Sequence, residues 1–123
     1  MKLKLFNNIF KYIFPLNISM TEFSDNVYEL LRQVPPGKVT TYKELANALN
    51  SSAYRAIGQI MKNNPDAPNT PCHRCVSTNG TIGGFNGQNS GLEVIRKKKI
   101  LESEGITFSN NKIINFNQIL YKL

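Results

Sequence analysis

Residues 41–62 read TYKELANALNSSAYRAIGQIMK, and two short helices lie inside that stretch. Thr41 followed three residues later by Glu44 is a capping box, opening a helix through Leu45, Ala46 and Leu49. Asn50, Ser51 and Ser52 form a short turn, with Ser52 placed to cap the second helix. That helix carries Ala53, Ala56, Ile57, Ile60 and Met61 on one face. Two helices joined by a three-residue turn read as a helix-turn-helix, whose second helix commonly docks on DNA. Short helix pairs also occur in ordinary cores, so the side chains matter. Ala53, Ala56 and Gly58 are small, whereas Tyr54, Arg55, Gln59 and Lys62 are long and polar. Gly58 costs the helix about 1 kcal/mol relative to alanine, and close approach of another surface accounts for it.

Upstream, Phe23, Val27, Leu30, Leu31 and Val34 recur at helical spacing, with Thr21 or Ser24 to cap the start. Pro35-Pro36-Gly37 ends that helix, and Val39 begins a brief extended stretch. Residues 1–20 hold Leu3, Leu5, Phe6, Ile9, Phe10, Ile13 and Phe14, enough apolar surface to need burial on the main core. A membrane-surface arm or a dimer contact is the competing use of that segment. It reads poorly as a secretion signal, because Asn7, Asn8 and Lys11 interrupt it and no small-residue cleavage site comes after it.

Downstream, residues 63–71 form an irregular loop stiffened by three prolines, and Pro71-Cys72-His73-Arg74-Cys75-Val76 comes directly after it. Asn79-Gly80 is a good hairpin turn, and Gly83, Gly84, Gly87 and Gly91 mark a wing and a flexible loop. A helix then runs from about Leu92 to Glu104, with Arg96, Lys97, Lys98 and Lys99 on its surface and Gly105 as its stop. The tail, residues 106–123, alternates loosely through Ile106, Phe108, Ile113 and Phe116 as edge structure. The fold expected is mainly α with a small β-hairpin, a winged-helix-like helix-turn-helix. Residues 21–123 form the domain and residues 1–20 a short segment packed on it.

At 123 residues and 41% hydrophobic, the chain is one ordinary domain with enough apolar content for a core. No apolar run approaches the roughly 18 residues that a membrane span needs, so no membrane partner is expected. Fifteen Lys and Arg against eight Asp and Glu give +7, which favours an anionic partner, nucleic acid first. The two cysteines, Cys72 and Cys75, sit too close together for a disulfide-stapled secreted domain, so an intracellular, cytoplasmic setting is expected.

Cys72 beside the one histidine, His73, is the sharpest chemical feature. The thiolate is the nucleophile, His73 can act as base, and Arg74 adds positive potential. On an extended chain adjacent side chains point opposite ways, so a bridging water is needed. A buried structural cysteine next to a coincidental histidine meets the same spacing. Glu104 stands at the end of its helix, where the macrodipole disfavours a carboxylate. Either a specific partner such as the histidine Nδ1–H explains it, or it is a solvated surface glutamate. A thioredoxin-like dithiol lacks its βαβ surroundings, a zinc site lacks ligands, and a papain-like protease needs a distant histidine. No metal and no organic cofactor is expected.

Pro71-Cys72-His73-Arg74, Val76, Gly80, Gly83 and Glu104-Gly105, in order, resemble the O6-alkylguanine-DNA alkyltransferase family. The likeness spans roughly residues 23–108 and includes residues 34–42 (VPPGKVTTY), Arg55-Ala56-Ile57-Gly58 and Met61-Lys62-Asn63-Asn64-Pro65. It implies the family's C-terminal catalytic domain, with the separate N-terminal domain reduced to at most residues 1–20. The implied function is direct reversal of damage, an irreversible single-turnover transfer of the alkyl group from O6-alkylguanine in duplex DNA to Cys72. His73 is then the base acting through water, Glu104 orients it, and Tyr42 donates a proton to the leaving guanine. Arg55 fills the space left by the flipped base. Ala56 and Gly58 allow close approach in the minor groove, and Thr41 and Lys62 meet DNA. Asn64 braces the turn before the active-site strand. Cys75, Phe85, Asn86 and Gly87 bound the pocket.

The resemblance further implies a monomer. Its departures are Cys75 where valine or isoleucine is usual, Phe85-Asn86 for a commoner Tyr-Ser, and the longer loop Gln88-Asn89-Ser90. Cys75 makes a disulfide with Cys72 an inactivation risk. A second reading is a non-transferring damage sensor of the alkyltransferase-like type. Those proteins lack the acceptor cysteine that this chain has. A third is a plain basic DNA-binding module.

Overall fold

A computed structural model describes residues 19–123, so the expected packing of residues 1–20 lies outside the described residues except at its last two positions. The elements are α1 (Met20–Arg32), β1 (Thr40–Thr41), α2 (Tyr42–Ala48), α3 (Tyr54–Lys62), a 3₁₀ turn (Cys72–Arg74) and β2 (Cys75–Val76). Next come α4 (Leu92–Ser103), β3 (Phe108–Ser109), β4 (Lys112–Ile113) and α5 (Phe116–Ile119). The architecture is mainly helical, a winged-helix-like helix-turn-helix with a small β-hairpin.

Local chemistry explains most boundaries. The α1 cap is Ser19, whose side chain accepts from the Glu22 amide, and not Thr21 or Ser24, which the helix takes into its own first turns. Thr41 caps α2, its Oγ1 accepting from the Glu44 N–H at 3.1 Å. Before α3 the turn is held by Ser51, not Ser52: Ser51 Oγ accepts from the Ala53 N–H at 3.0 Å, and Ala53 itself stands at the cap with no side-chain bond. Ile57, Ile60 and Met61 form the buried face of α3, while Ala53 and Ala56 are only half-buried. The Tyr28 hydroxyl donates to Ile60 O at 2.6 Å and fixes α3 against α1.

The strands are where sequence and structure differ most. The stretch after Cys72 is a 3₁₀ turn, not an extended chain, and β2 begins only at Cys75. β1 and β2 pair in parallel, with Thr40 beside Cys75 and Thr41 beside Val76. Asn79-Gly80 makes a turn closed by the Asn79 side chain, which accepts from the Thr81 amide and hydroxyl. The antiparallel hairpin lies instead in the tail, where β3 and β4 pair. The tail continues into α5 and returns Tyr121 N–H to Val39 O at 2.7 Å.

Two apolar clusters flank the short parallel pair. Phe23, Val27, Leu31, Leu45, Leu49 and Ile57 form one with Cys72 and Cys75, and Val39, Val76, Ile82, Val94, Leu101 and Ile106 form the other. Successive strand residues face opposite sides, so Cys75 and Val76 enter different clusters, and the helix-turn-helix is fastened to α4 through β2.

Because the Thr41 side chain satisfies an otherwise orphaned helix amide, Thr41→Ala should lower the unfolding free energy by about 1 kcal/mol and Thr41→Ser should keep it. The midpoints of urea denaturation read this difference.

Candidate functional site

Glu104 sits at the C-cap of α4 and gathers the two residues after Cys72. One carboxylate oxygen lies 2.9 Å from His73 Nε2. Arg74 grips the same group with two bonds, Nε to Oε1 at 3.0 Å and Nη2 to Oε2 at 2.8 Å. Arg74 Nη1 also donates to Val34 O at 2.8 Å, beyond the end of α1. The histidine nitrogen facing Glu104 is therefore Nε2 and not Nδ1, and Arg74 does more than add positive potential.

The electrostatics are a consequence of this packing. Burial pushes the His73 pKa below its ordinary value, and the hydrogen bond that its ring donates to Glu104 restores only part of that. Burial alone would raise Glu104, but the bonds from Arg74, then from His73, outweigh it and hold the carboxyl below the usual range. Burial pushes the Cys75 thiol up to about 12, against the lowering effect of Lys97. The Tyr42 phenol is raised by burial first and by Cys75 and Cys72 second, so it stays protonated. Both cysteines are buried and free.

Cys72 opens onto a cavity of about 420 Å³ between α3 and the loop 84–89. That volume is in the range of small-ligand sites. Tyr42, Gly58, Lys62, Phe85, Asn86 and Gly87 are among its lining residues. Asn86 and Gly87 both have positive φ, 50° and 79°, and Phe85 and Gln88 exchange both backbone bonds across them. That is a type I′ turn, and it needs the Asn-Gly pair. A Cβ on Gly87 would stand 2.8 Å from Lys62 Cε, so the loop tip rests on α3. At Gly58 no atom of the described residues comes within 4 Å of an added Cβ, so nothing inside the chain requires glycine there.

The remaining expected residues lie around this centre rather than in it. Arg55 is exposed on α3, and neither it nor the half-buried Ala56 lines the cavity. Thr41 is buried as the α2 cap, directly before Tyr42. Asn64 donates to Thr70 O at 2.7 Å and accepts from the Asp66 amide, bracing the loop that leads to Cys72. Thr70 is also held by Arg32 of α1, whose Nε donates to its Oγ1 at 3.1 Å. Cys75 packs in the core, off the cavity.

Residues 22–106 match the family model for the 6-O-methylguanine DNA methyltransferase DNA-binding domain. The chain belongs to that family. A methylated-DNA–protein-cysteine methyltransferase of Candida glabrata is 40% identical over 93 residues, 75% of this chain and 42% of that protein. The O6-methylguanine-DNA methyltransferase of the archaeon Pyrococcus kodakaraensis superposes with a TM-score of 0.56 at 48% identity, over 68% of this chain and 46% of that one. S. pombe Atl1, solved in complex with damaged DNA containing O6-carboxymethylguanine, superposes with a TM-score of 0.70 at 30% identity, over 86% of this chain and 100% of its own. The chain spans between 28% and 56% of the length of the curated relatives it matches.

Within this alkyltransferase-family domain the structure brings in one residue that its sequence neighbours disguise. Lys97 belongs to a basic run that reads as helix surface, yet it is fully buried. Its Nζ donates to Cys75 O at 2.8 Å and to Gly84 O at 2.9 Å, tying β2 to the start of the cavity loop. Burial pushes the Lys97 ammonium down to about 8, while Cys75 and Cys72 oppose that shift. The periodicity carries the signal: Val94, Lys97 and Leu101 stand at i, i+3 and i+7, the buried stripe of α4. Among the described residues no group of three His, Cys, Asp or Glu is arranged to hold a metal. No described helix is long and apolar enough to cross a membrane.

With the His73 pKa depressed below its ordinary 6.5, the unfolded chain takes up that proton first, so this stability is complete above 6.5 and is lost as pH falls through the lower folded value. Urea denaturation across that range should show the loss, and His73→Gln should flatten it; parallel curves would contradict the assignment. Lys97→Met removes the Lys97 donor from the buried Cys75 carbonyl and the half-buried Gly84 carbonyl, at about 1–3 kcal/mol for a buried group so stranded. Hydrogen exchange at the Phe85 and Gln88 amides should accelerate in that variant.

Proposed function

We propose that residues 21–123 form a combined catalytic and DNA-binding unit that repairs O6-alkylguanine in duplex DNA by moving the alkyl group to Cys72. The observation that carries this reading is a cysteine opening onto a base-sized cavity with an imidazole–carboxylate pair beginning at the next residue. Membership of the family and the charge of +7 support it.

On this reading α3 enters the minor groove, with Lys62 and the region around Thr41 near phosphates. The damaged guanine turns out of the stack into the cavity, and Arg55 occupies the space it leaves. Phe85, Asn86 and Gly87 supply the far wall. Cys72 then attacks the alkyl carbon in line. The S–C bond forms with the sulfur electron pair while the C–O6 bond breaks, its pair leaving on guanine.

The thiol proton passes through a water to His73, the leaving guanine takes one proton from Tyr42, and solvent carries the proton held by His73 back to the tyrosinate, so one proton moves overall. The depressed pKa of His73 keeps the ring neutral and able to accept that proton at neutral pH. With Nε2 committed to Glu104, Nδ1 is the nitrogen that serves the water. Tyr42, kept protonated, donates toward the leaving base. The thioether has no hydrolytic route back to a thiol, so each chain acts once, without metal or cofactor. The working form is a single chain, in an intracellular compartment where free thiols persist.

The superposition with Atl1 over that chain's whole length favours a second reading, a sensor that flips and holds the lesion without transfer. Cys72 separates the two. Titrated against a duplex with one O6-methylguanine, the protein should restore guanine up to one lesion per chain and then stop. Cys72→Ser should restore none while still preferring the damaged duplex in a gel-shift assay. Lesion preference without restoration by the unaltered chain would establish the sensor instead. Equal binding of damaged and intact duplex would overturn both.

A further inference from the structure

Five large apolar side chains are exposed among the described residues, and only Tyr54 lies in the helix-turn-helix. Tyr54 is the first residue of α3 and is 48% exposed. Its ring serves neither apolar cluster. A single exposed aromatic is unremarkable on most surfaces. Here its place on the helix matters.

Tyr54 and Gly58 stand at i and i+4, neighbours in one stripe along α3. Gly58 and Lys62 line the cavity that Cys72 opens onto. The stripe is clear above the cavity, because an added Cβ at Gly58 would meet nothing within 4 Å. Arg55 lies on the other side of Gly58, about 60° round the helix from it, and like Tyr54 it is exposed and does not line the cavity. Two long side chains thus begin α3, one on either side of the line through Gly58.

We infer that Tyr54 is a second wedge residue, whose ring packs in the minor groove against the nucleotide flanking the extruded base. The inference rests on the reading that α3 delivers a flipped guanine to the cavity. Aromatic and apolar side chains that enter the minor groove hold base steps apart, and a tyrosine ring does so with few rotamers to fix. Arg55 would then occupy the vacated space while Tyr54 keeps the neighbouring pair from closing over it.

The test compares single-turnover transfer from a saturating O6-methylguanine duplex with transfer from free O6-methylguanine base, for the unaltered chain, Tyr54→Phe and Tyr54→Ala. A 2-aminopurine placed beside the lesion reports unstacking in the same duplex. The ratio of duplex to free-base rates should fall about tenfold in Tyr54→Ala, as for loss of one stacking contact, with a weaker 2-aminopurine signal. Tyr54→Phe should keep both. An unchanged ratio in Tyr54→Ala, or a Tyr54→Phe variant as impaired as Tyr54→Ala, would overturn the wedge; the latter would make the hydroxyl a phosphate contact. Equal loss on both substrates would also overturn it, as damage to the fold. Failure of the unaltered chain on both substrates would instead remove the underlying transfer reading.

Discussion

The Glu104 carboxylate is the interaction on which the rest of this structure depends. It stands at the negative end of α4, where an isolated carboxylate is disfavoured, and is stabilised there by a two-bond grip from Arg74 and by His73. Removing one member of this partly buried cluster would leave the others without their charge-assisted bonds, at a cost of about 1.5–3 kcal/mol. The same cluster fixes geometry. Through Arg74 it reaches Val34 at the end of α1, and through His73 and Arg74 it sets the 3₁₀ turn that begins with Cys72. One carboxylate therefore couples the end of one helix, the end of another and the reactive segment.

A second fastening, Lys97, acts on the other side of β2. By donating to Cys75 O and Gly84 O it joins β2 to the loop that walls the cavity, and Gly87 in that loop rests on Lys62 of α3. The cavity lies against the first of the two cores, between α3 and the loop that Lys97 fastens to β2. One wall is thus a helix packed on that core and the other a loop held at Gly84 and at its tip, with an opening toward solvent between them. Gly58 leaves that opening clear, which is the arrangement a large extrahelical base requires.

Features set by neighbouring residues are legible in the sequence, and features set across the chain are not. The Thr41 cap and the buried stripe of α3 depend on spacing within one or two turns, and both can be read directly. Ser19, Thr21 and Ser24 offer three equivalent caps for α1, and only the tertiary position of Phe23 and Val27 selects among them. Two Asn-Gly pairs look alike. Only Asn86-Gly87 takes positive φ at both residues, while Asn79-Gly80 closes a turn through its own side chain. The parallel pairing of Thr40 with Cys75 joins residues far apart in strands too short to announce themselves. Lys97 is hidden in a run of four basic residues, where charge outweighs periodicity. In the site, Cys72, His73 and Glu104 are recognisable through their order along the chain. Arg55 and Tyr54 face solvent, so no packing inside the fold marks them out.

What distinguishes transfer from mere lesion binding is the fate of one sulfur atom. Peptide-mapped intact-mass spectrometry of the reduced chain, after mixing with an equimolar duplex bearing one O6-methylguanine, reads that atom directly. A methyl-for-hydrogen gain on the peptide holding Cys72, with guanine regenerated in the oligonucleotide, is the result expected. A folded, reduced chain that binds the duplex and gains no mass at Cys72 would contradict the account.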